Sequence, residues 1–135
     1  MTRAGARSAD AAFWRGRRVL LTGHTGFKGS WLALRLAALG AAVTGLSLDP
    51  PTDPSLFALA GVGGALDDRR GDVRDNKAIA AAVAAARPDV VFHLAAQALV
   101  KVGLEQPIET LEVNVMGTAR LLEALKGAGA RSPSR

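Results

Sequence analysis

Three glycines define the chemistry open to this chain. Gly23, Gly26 and Gly29 fall within RVLLTGHTGFKGSWLAL (Arg18–Leu34), after a short apolar run ending in Thr22 and before a segment of helical periodicity from Trp31 to Leu39. A strand that turns through glycines directly into a helix is a phosphate-cradling device, because backbone N–H groups of the turn and first helical turn point at the ligand. In that arrangement Gly23 permits the tight turn, Gly26 lets backbone approach a pyrophosphate, and Gly29 lets helix and strand pack closely. The spacing is G-x-x-G-x-x-G rather than the commoner G-x-G-x-x-G. A glycine-rich strand–helix turn without a ligand is the plain alternative; the agreement of strand, turn and helix favours dinucleotide binding. Lys28 does not make a P-loop, since G-x-x-x-x-G-K-[ST] needs four residues between its glycines and a glycine immediately before the lysine.

Further candidates follow from the strand ends. The position at which a ribose-binding acid is expected, about twenty residues beyond the glycines, is Ser47, with Asp49 two residues later. A serine accepts or donates to a ribose hydroxyl but does not repel a 2′-phosphate as a carboxylate does. No arginine stands beside Ser47 in the sequence to attract that phosphate, so the local residues lean to NAD over NADP. Asp72 and Val73 are placed to meet an adenine, although Asp72 could equally cap the helix that follows; Asp75 reads as the cap. In the run His93-Leu94-Ala95-Ala96-Gln97, the small Ala95 and Ala96 would let backbone approach a ribose and nicotinamide. His93, on an apolar strand, reads as a satisfied core histidine. His24, in the glycine turn, reads as a loop residue beside the phosphates, and Asn114 as a tie between helix and sheet.

These residues must be positioned by alternating strands and helices, the pattern of a parallel sheet with crossover helices. Strands are expected at Arg18–Thr22, Ala42–Ser47, around Ala65–Arg70, and at Val90–Leu94, the last as a buried-type strand. Helices are expected at Gly26–Leu39, near Ser55–Ala60, at about Asp75–Ala86, and from Pro107, a residue suited to a first helical turn. The last helix carries an apolar stripe of Ile108, Leu111, Val115, Ala119, Leu122 and Leu125 at steps of three or four. The polar tail ARSPSR cannot be a central strand. The expected architecture is therefore a doubly wound α/β sheet that stops after four strands, in the order 3-2-1-4. A disordered tail is expected over residues 1–15, a nucleotide-binding domain over 16–127, and an aberrant or disordered tail over 128–135.

Bulk properties exclude several classes. At 135 residues one domain with a real core is expected. Without cysteine there is no disulfide framework or thiolate metal site, and two histidines cannot build a metal site alone. No run of eighteen apolar residues is present, so no membrane span is expected. The net charge of +5 sits at the ends. Residues 1–18 hold five arginines against one aspartate, residues 126–135 hold three basic groups, and residues 19–125 hold nine basic against eleven acidic groups. A nucleic-acid groove would put its basic residues on the folded body, so nucleic acid is not the expected partner. The Arg- and Ala-rich start lacks the apolar core of a secretory signal, and a cytoplasmic location is expected.

Five segments together carry a resemblance: TGHTGFKGSW (Thr22–Trp31), PPTDPSLF (Pro50–Phe57), GDVRD (Gly71–Asp75), FHLAAQ (Phe92–Gln97) and NVMGT (Asn114–Thr118). The chain is similar to the N-terminal part of the extended short-chain dehydrogenase/reductases and, within them, to the CDP-glucose 4,6-dehydratases. Lys28, in place of an aliphatic residue, and the PPTDPSLF loop point to that group. The resemblance implies a bound NAD, transiently reduced while a nucleotide sugar is oxidised at C4, loses water across C5 and C6, and recovers the hydride at C6. It implies cofactor contacts at Gly23, Thr25, Gly26, Phe27, Lys28, Gly29, Ser47, Asp72, Val73, Leu94, Ala95, Ala96 and Gln97, with Lys28 contributing its backbone amide, and a homodimer. The implied catalytic groups, a Ser/Thr with an Asp-Lys pair and a Tyr-x-x-x-Lys, are not found here, and the chain has no tyrosine. Gly103-Leu104 also stands where the family usually has Ser-Tyr. The expectation is an NAD-binding portion from a shortened reading frame, inactive by itself; a non-catalytic NAD-binding sensor module or another sugar-nucleotide dehydratase or epimerase are the alternatives.

Overall fold

Val19, Leu20 and Leu21 are completely shielded from solvent, which requires cover on both faces of the strand they form. In the computed structural model, which describes residues 11–129, that strand is β1 (Arg18–Thr22). It lies between β2 (Ala42–Ser47) and β4 (Val90–His93), with β3 (Asp67–Arg70) beyond β2, all parallel. The order β3-β2-β1-β4 is the expected 3-2-1-4 of a Rossmann-type sheet.

Alternate strand residues point to opposite faces, and the helices divide accordingly. On one face Val19, Leu21 and Val43 pack with Ala33 and Leu36 of α2 (Phe27–Ala38), with Phe57 of a short helix, α3 (Leu56–Leu59), and with Val62 of the 3₁₀ turn Val62–Ala65. On the other, Leu20 and Leu46 pack against Ile79, Ala82, Val83 and Ala86 of α4 (Asn76–Ala86) and Leu121 of α7 (Gly117–Gly127). Two more short helices, α5 (Val100–Glu105) and α6 (Pro107–Leu111), and a π turn, Glu112–Met116, lead into α7. A single helical turn, α1 (Ala11–Trp14), precedes β1.

Several boundaries differ from expectation for identifiable reasons. The supposed N-terminal tail overlaps ordered structure at α1, because Trp14 packs on the α2-side core, 6.1 Å from the Phe92 ring, and Gly16 N–H donates to Gly40 O; residues 1–10 and 130–135 lie outside the described residues. Ala65 belongs to the 3₁₀ turn, and β3 is purely charged, DDRR. A charged outer strand has no apolar pattern to detect, yet it suits an edge because it discourages pairing with another sheet. Strand β4 is only half-buried along its whole length rather than a buried-type strand, since it has a single strand neighbour.

The last helix departs most. Its backbone passes through the π turn, which adds a residue to one turn and rotates everything beyond it. Gly117 and Leu121 consequently face the core. Of the expected stripe, Leu125 packs there, while Ile108, Leu111, Val115 and Leu122 are 73%, 56%, 55% and 62% exposed. The α5 segment has no counterpart in the sequence reading.

Candidate functional site

The glycine turn is built by close approach. Gly23 has φ +79°, and an added Cβ would lie 2.7 Å from Ala95 N and 2.8 Å from Leu94 C, so the segments leaving β1 and β4 touch at this point. At Gly29 a Cβ would fall 2.0 Å from Gly23 O, and Ser30 Oγ donates to His24 O at 3.0 Å, drawing α2 onto the turn. Gly26 is different. It is the N-cap of α2 in extended geometry, without a side-chain cap, and a Cβ there would meet only Gly23 O, at 3.5 Å. The opening N–H groups of an α-helix have no intrahelical acceptor, and α2 presents them at this open position.

A hydroxyl network fixes the segment after β4. Thr22 Oγ1 accepts from the N–H groups of Leu94 and Ala95, both at 3.1 Å. Its own proton therefore goes to His93 Nδ1 at 2.6 Å. That makes His93 the Nε2–H tautomer, which donates to Thr118 Oγ1 at 3.0 Å, and Thr118 donates onward to Asn114 O at 2.8 Å. His93 is a satisfied core histidine of this kind, and burial pushes its pKa down. Asn114 accepts from Gln97 N (2.8 Å) and donates to Gln97 O (2.9 Å), tying the helix to the loop after β4 rather than to the sheet. The Gln97 side chain is occupied by Leu99 and Thr110.

Between these elements, at the carboxyl ends of β1, β2 and β4, lies a cavity of about 300 Å³. Its walls bring together Gly26, Ser47, Asp72, Val73, Ala95, Ala96 and Gln97 of the expected contacts. Thr25 stands behind, bonded to Ser47 Oγ at 2.7 Å. Phe27 and Lys28 are exposed on the first turn of α2 and Leu94 on the β4 loop, none of them on the cavity wall. The walls also include Leu48, Asp49, Pro51, Arg74 and Glu109, which were not among the expected contacts; for Pro51 the PPTDPSLF segment was the available signal. A larger depression of about 690 Å³ lies at the opposite end of the strands, against Arg17, Arg18, Arg87 and Asp89. Ligands of open α/β sheets bind at the carboxyl ends, where the strand order reverses, so the smaller cavity is the candidate site.

Asp75, as expected, caps α4 by accepting from Lys77 N, whereas Asp72 accepts from Arg74 N (2.9 Å) and pairs with its guanidinium (2.7 Å), which holds the Asp72 carboxyl below its usual range. An arginine does stand beside Ser47: sheet register sets Arg70 opposite it, a neighbour that linear distance conceals. His24 is fully buried rather than beside the phosphates. Its ring lies under Gly45, where a Cβ would sit 2.4 Å from Nδ1, and edge-on to Phe57 at 5.7 Å. Nε2 donates to Asp68 Oδ1 at 2.7 Å, and Nδ1 has no partner among the described residues. Burial pushes the His24 pKa down against the opposing pull of Asp68.

Both imidazoles thus take up a proton less readily in the folded chain than in the unfolded one. As pH falls below the unfolded value, near 6.5, the unfolded state gains protons first and stability declines through the lowered folded values. Denaturation midpoints should be constant above about pH 7 and fall between about pH 7 and pH 5. A flat midpoint across that interval would show that neither ring is held neutral.

Residues 20–135 match the family model described as GDP-mannose 4,6 dehydratase. Over 120 residues the chain is 51% identical to CDP-glucose 4,6-dehydratase of Salmonella typhimurium, covering 89% of this chain and 33% of that protein. It is 39% identical to UDP-glucose 4-epimerase of Mycolicibacterium smegmatis over 115 residues, covering 84% and 36%. The solved UDP-glucose 4-epimerase of Thermus thermophilus in complex with NAD superposes with a TM-score of 0.68 at 34% identity, over 84% of this chain and 35% of that one. The chain thus spans about a third of the length of the relatives it matches.

Proposed function

The chain belongs to the GDP-mannose 4,6 dehydratase family, and on that premise we propose that it forms the NAD-binding part of a sugar-nucleotide 4,6-dehydratase acting on CDP-glucose. The observation that carries the reading is Gly26, an uncapped helix start whose missing side chain leaves backbone open on the cavity at the strand-order reversal. The residues fit the dinucleotide. The α2 N–H groups at Phe27, Lys28 and Gly29 would face the pyrophosphate, a placement favoured by the positive end of the helix dipole, with Gly26 admitting it by having no side chain. Ser47, backed by Thr25, would receive the adenosine ribose, and Asp72 and Val73 the adenine. Leu94, Ala95, Ala96 and Gln97 would border the nicotinamide half through backbone, since the Gln97 amide is already engaged.

Bound NAD would supply reversible hydride transfer to and from the sugar. This chain's own share is to bind and orient: Thr22 fixes the Leu94–Ala95 backbone, and Gly23 and Gly29 fix the turn. None of its residues is proposed to exchange a proton with substrate. The choice of CDP-glucose rests on the 51% identity to the Salmonella enzyme. The exposed Ile108, Leu111, Val115 and Leu122 side chains suit contact with a second copy, as the family resemblance implies.

Titration calorimetry with NAD tests the site. Wild-type chain should bind, and Gly26→Ala should weaken binding at least about 10-fold while changing stability by no more than about 1 kcal/mol, because φ −75° suits alanine and the only near atom is at van der Waals distance. Undiminished NAD binding by Gly26→Ala would remove the turn from the site.

A further inference from the structure

Discrimination between a bare adenosine ribose and one phosphorylated at O2′ depends on which groups at the end of β2 can donate a hydrogen bond. Here the direction of each bond is determined. Thr25 has one hydroxyl proton, and it goes to the Leu48 carbonyl at 2.8 Å. The 2.7 Å contact between Thr25 Oγ1 and Ser47 Oγ must then be a donation from Ser47. Ser47, on the cavity wall, therefore offers lone pairs alone: it accepts from a ribose hydroxyl and gives a phosphate oxygen nothing.

The cation across from Ser47 is Arg70, and each of its three nitrogens already donates to a carboxylate. Nη1 donates to Asp49 Oδ1 at 2.7 Å, while Nε and Nη2 donate to Asp68 at 2.9 and 3.1 Å. The guanidinium also lies over the Phe57 ring at 4.9 Å. Arg74, on the cavity wall, is similarly held by Asp72 and Glu109. Asp49 itself is on the wall and its side chain is 87% exposed, so it adds an uncovered negative charge where a 2′-phosphate would enter.

We infer that Asp49 is the specificity-determining residue of this site: by engaging Arg70 and lending its own charge beside an acceptor-only Ser47, it excludes dinucleotides phosphorylated at the ribose. The inference rests on the dinucleotide reading given above. The same function usually assigned to a carboxylate on the ribose is here divided between a hydroxyl with fixed polarity and an ion pair two residues further on.

Affinities of NAD and NADP for wild type, Asp49→Asn and Asp49→Asn/Arg70→Gln, measured by calorimetry, test it. Wild type should favour NAD by about 100-fold. Asp49→Asn, on an exposed loop, should keep its melting temperature and narrow the preference about 10-fold, NADP gaining more than NAD. The added Arg70→Gln should abolish that gain. Equal wild-type affinities, an unchanged ratio in folded Asp49→Asn that still binds NAD, or a gain surviving Arg70→Gln would each overturn the inference alone. Wild type binding neither nucleotide would overturn the dinucleotide reading and this inference with it.

Discussion

Gly29→Ala should destabilise the domain by on the order of 3 kcal/mol or more, the upper range for overpacking. The new methyl would stand 2.0 Å from Gly23 O, 2.8 Å from Gly23 C and 2.9 Å from His24 Cα, all backbone atoms that cannot rotate away. Gly23 cannot yield either: its N–H donates to Leu46 O at 2.9 Å, its carbonyl accepts from Gly26 N, and its own α-carbon abuts Ala95 and Leu94. The strain would spread into β2 and the β4 loop at once. Against a total stability of roughly 5–15 kcal/mol for ordinary domains, the urea midpoint should drop steeply. A midpoint equal to wild type would mean that α2 is not seated on the turn as described. Gly26→Ala is the informative contrast, since it should spare folding and impair binding.

Thr22→Val is the second severe case, although it preserves shape. It removes the hydroxyl that accepts from Leu94 and Ala95 and donates to His93, in a position with no solvent to substitute. Leu94 N retains Thr22 O at 3.1 Å; Ala95 N and His93 Nδ1 lose the partner described. Leaving buried polar groups unpaired should cost about 2–4 kcal/mol and weaken NAD binding more than Gly26→Ala does, because the Leu94–Gln97 backbone is released. Thr22→Ser, which keeps the hydroxyl, should restore most of both. If valine were tolerated as well as serine, the hydroxyl would not be what holds the β4 loop. Denaturation and calorimetry on the same preparations separate the two effects.

What could be read from sequence divides along physical lines. The glycine turn and β1 were legible because backbone requirements there allow few residues: Gly23 needs positive φ and Gly29 needs no Cβ. The sheet order was legible from alternating elements and the family resemblance. Strand β3 was blurred because DDRR contains no apolar residue, its place being set by pairing with β2. The position of His24 was concealed because its pocket is made by an absence, the missing side chain of Gly45 in another strand. Arg70 was missed beside Ser47 because sheet register, not sequence spacing, makes them neighbours. The ion pairs of Asp49 and Asp72 are likewise matters of three-dimensional placement.

The π turn at Glu112–Met116 bears on how this chain tolerates changes in length. Upstream of it, Glu109 and Thr110 face the cavity and Gln97, and Asn114 within it clamps the β4 loop; downstream, Leu121 docks on the sheet. An unbroken α-helix cannot hold both sets in phase, because one extra residue corresponds to about 100° of rotation. Inserting one more residue there would swing Leu121 about 100° off the core, whereas removing one residue other than Asn114 would leave an ordinary α-helix with Leu121 still in phase. The turn therefore acts as a phase adapter, and single-residue insertions should be borne far worse at 112–116 than in the exposed stretch at 52–54.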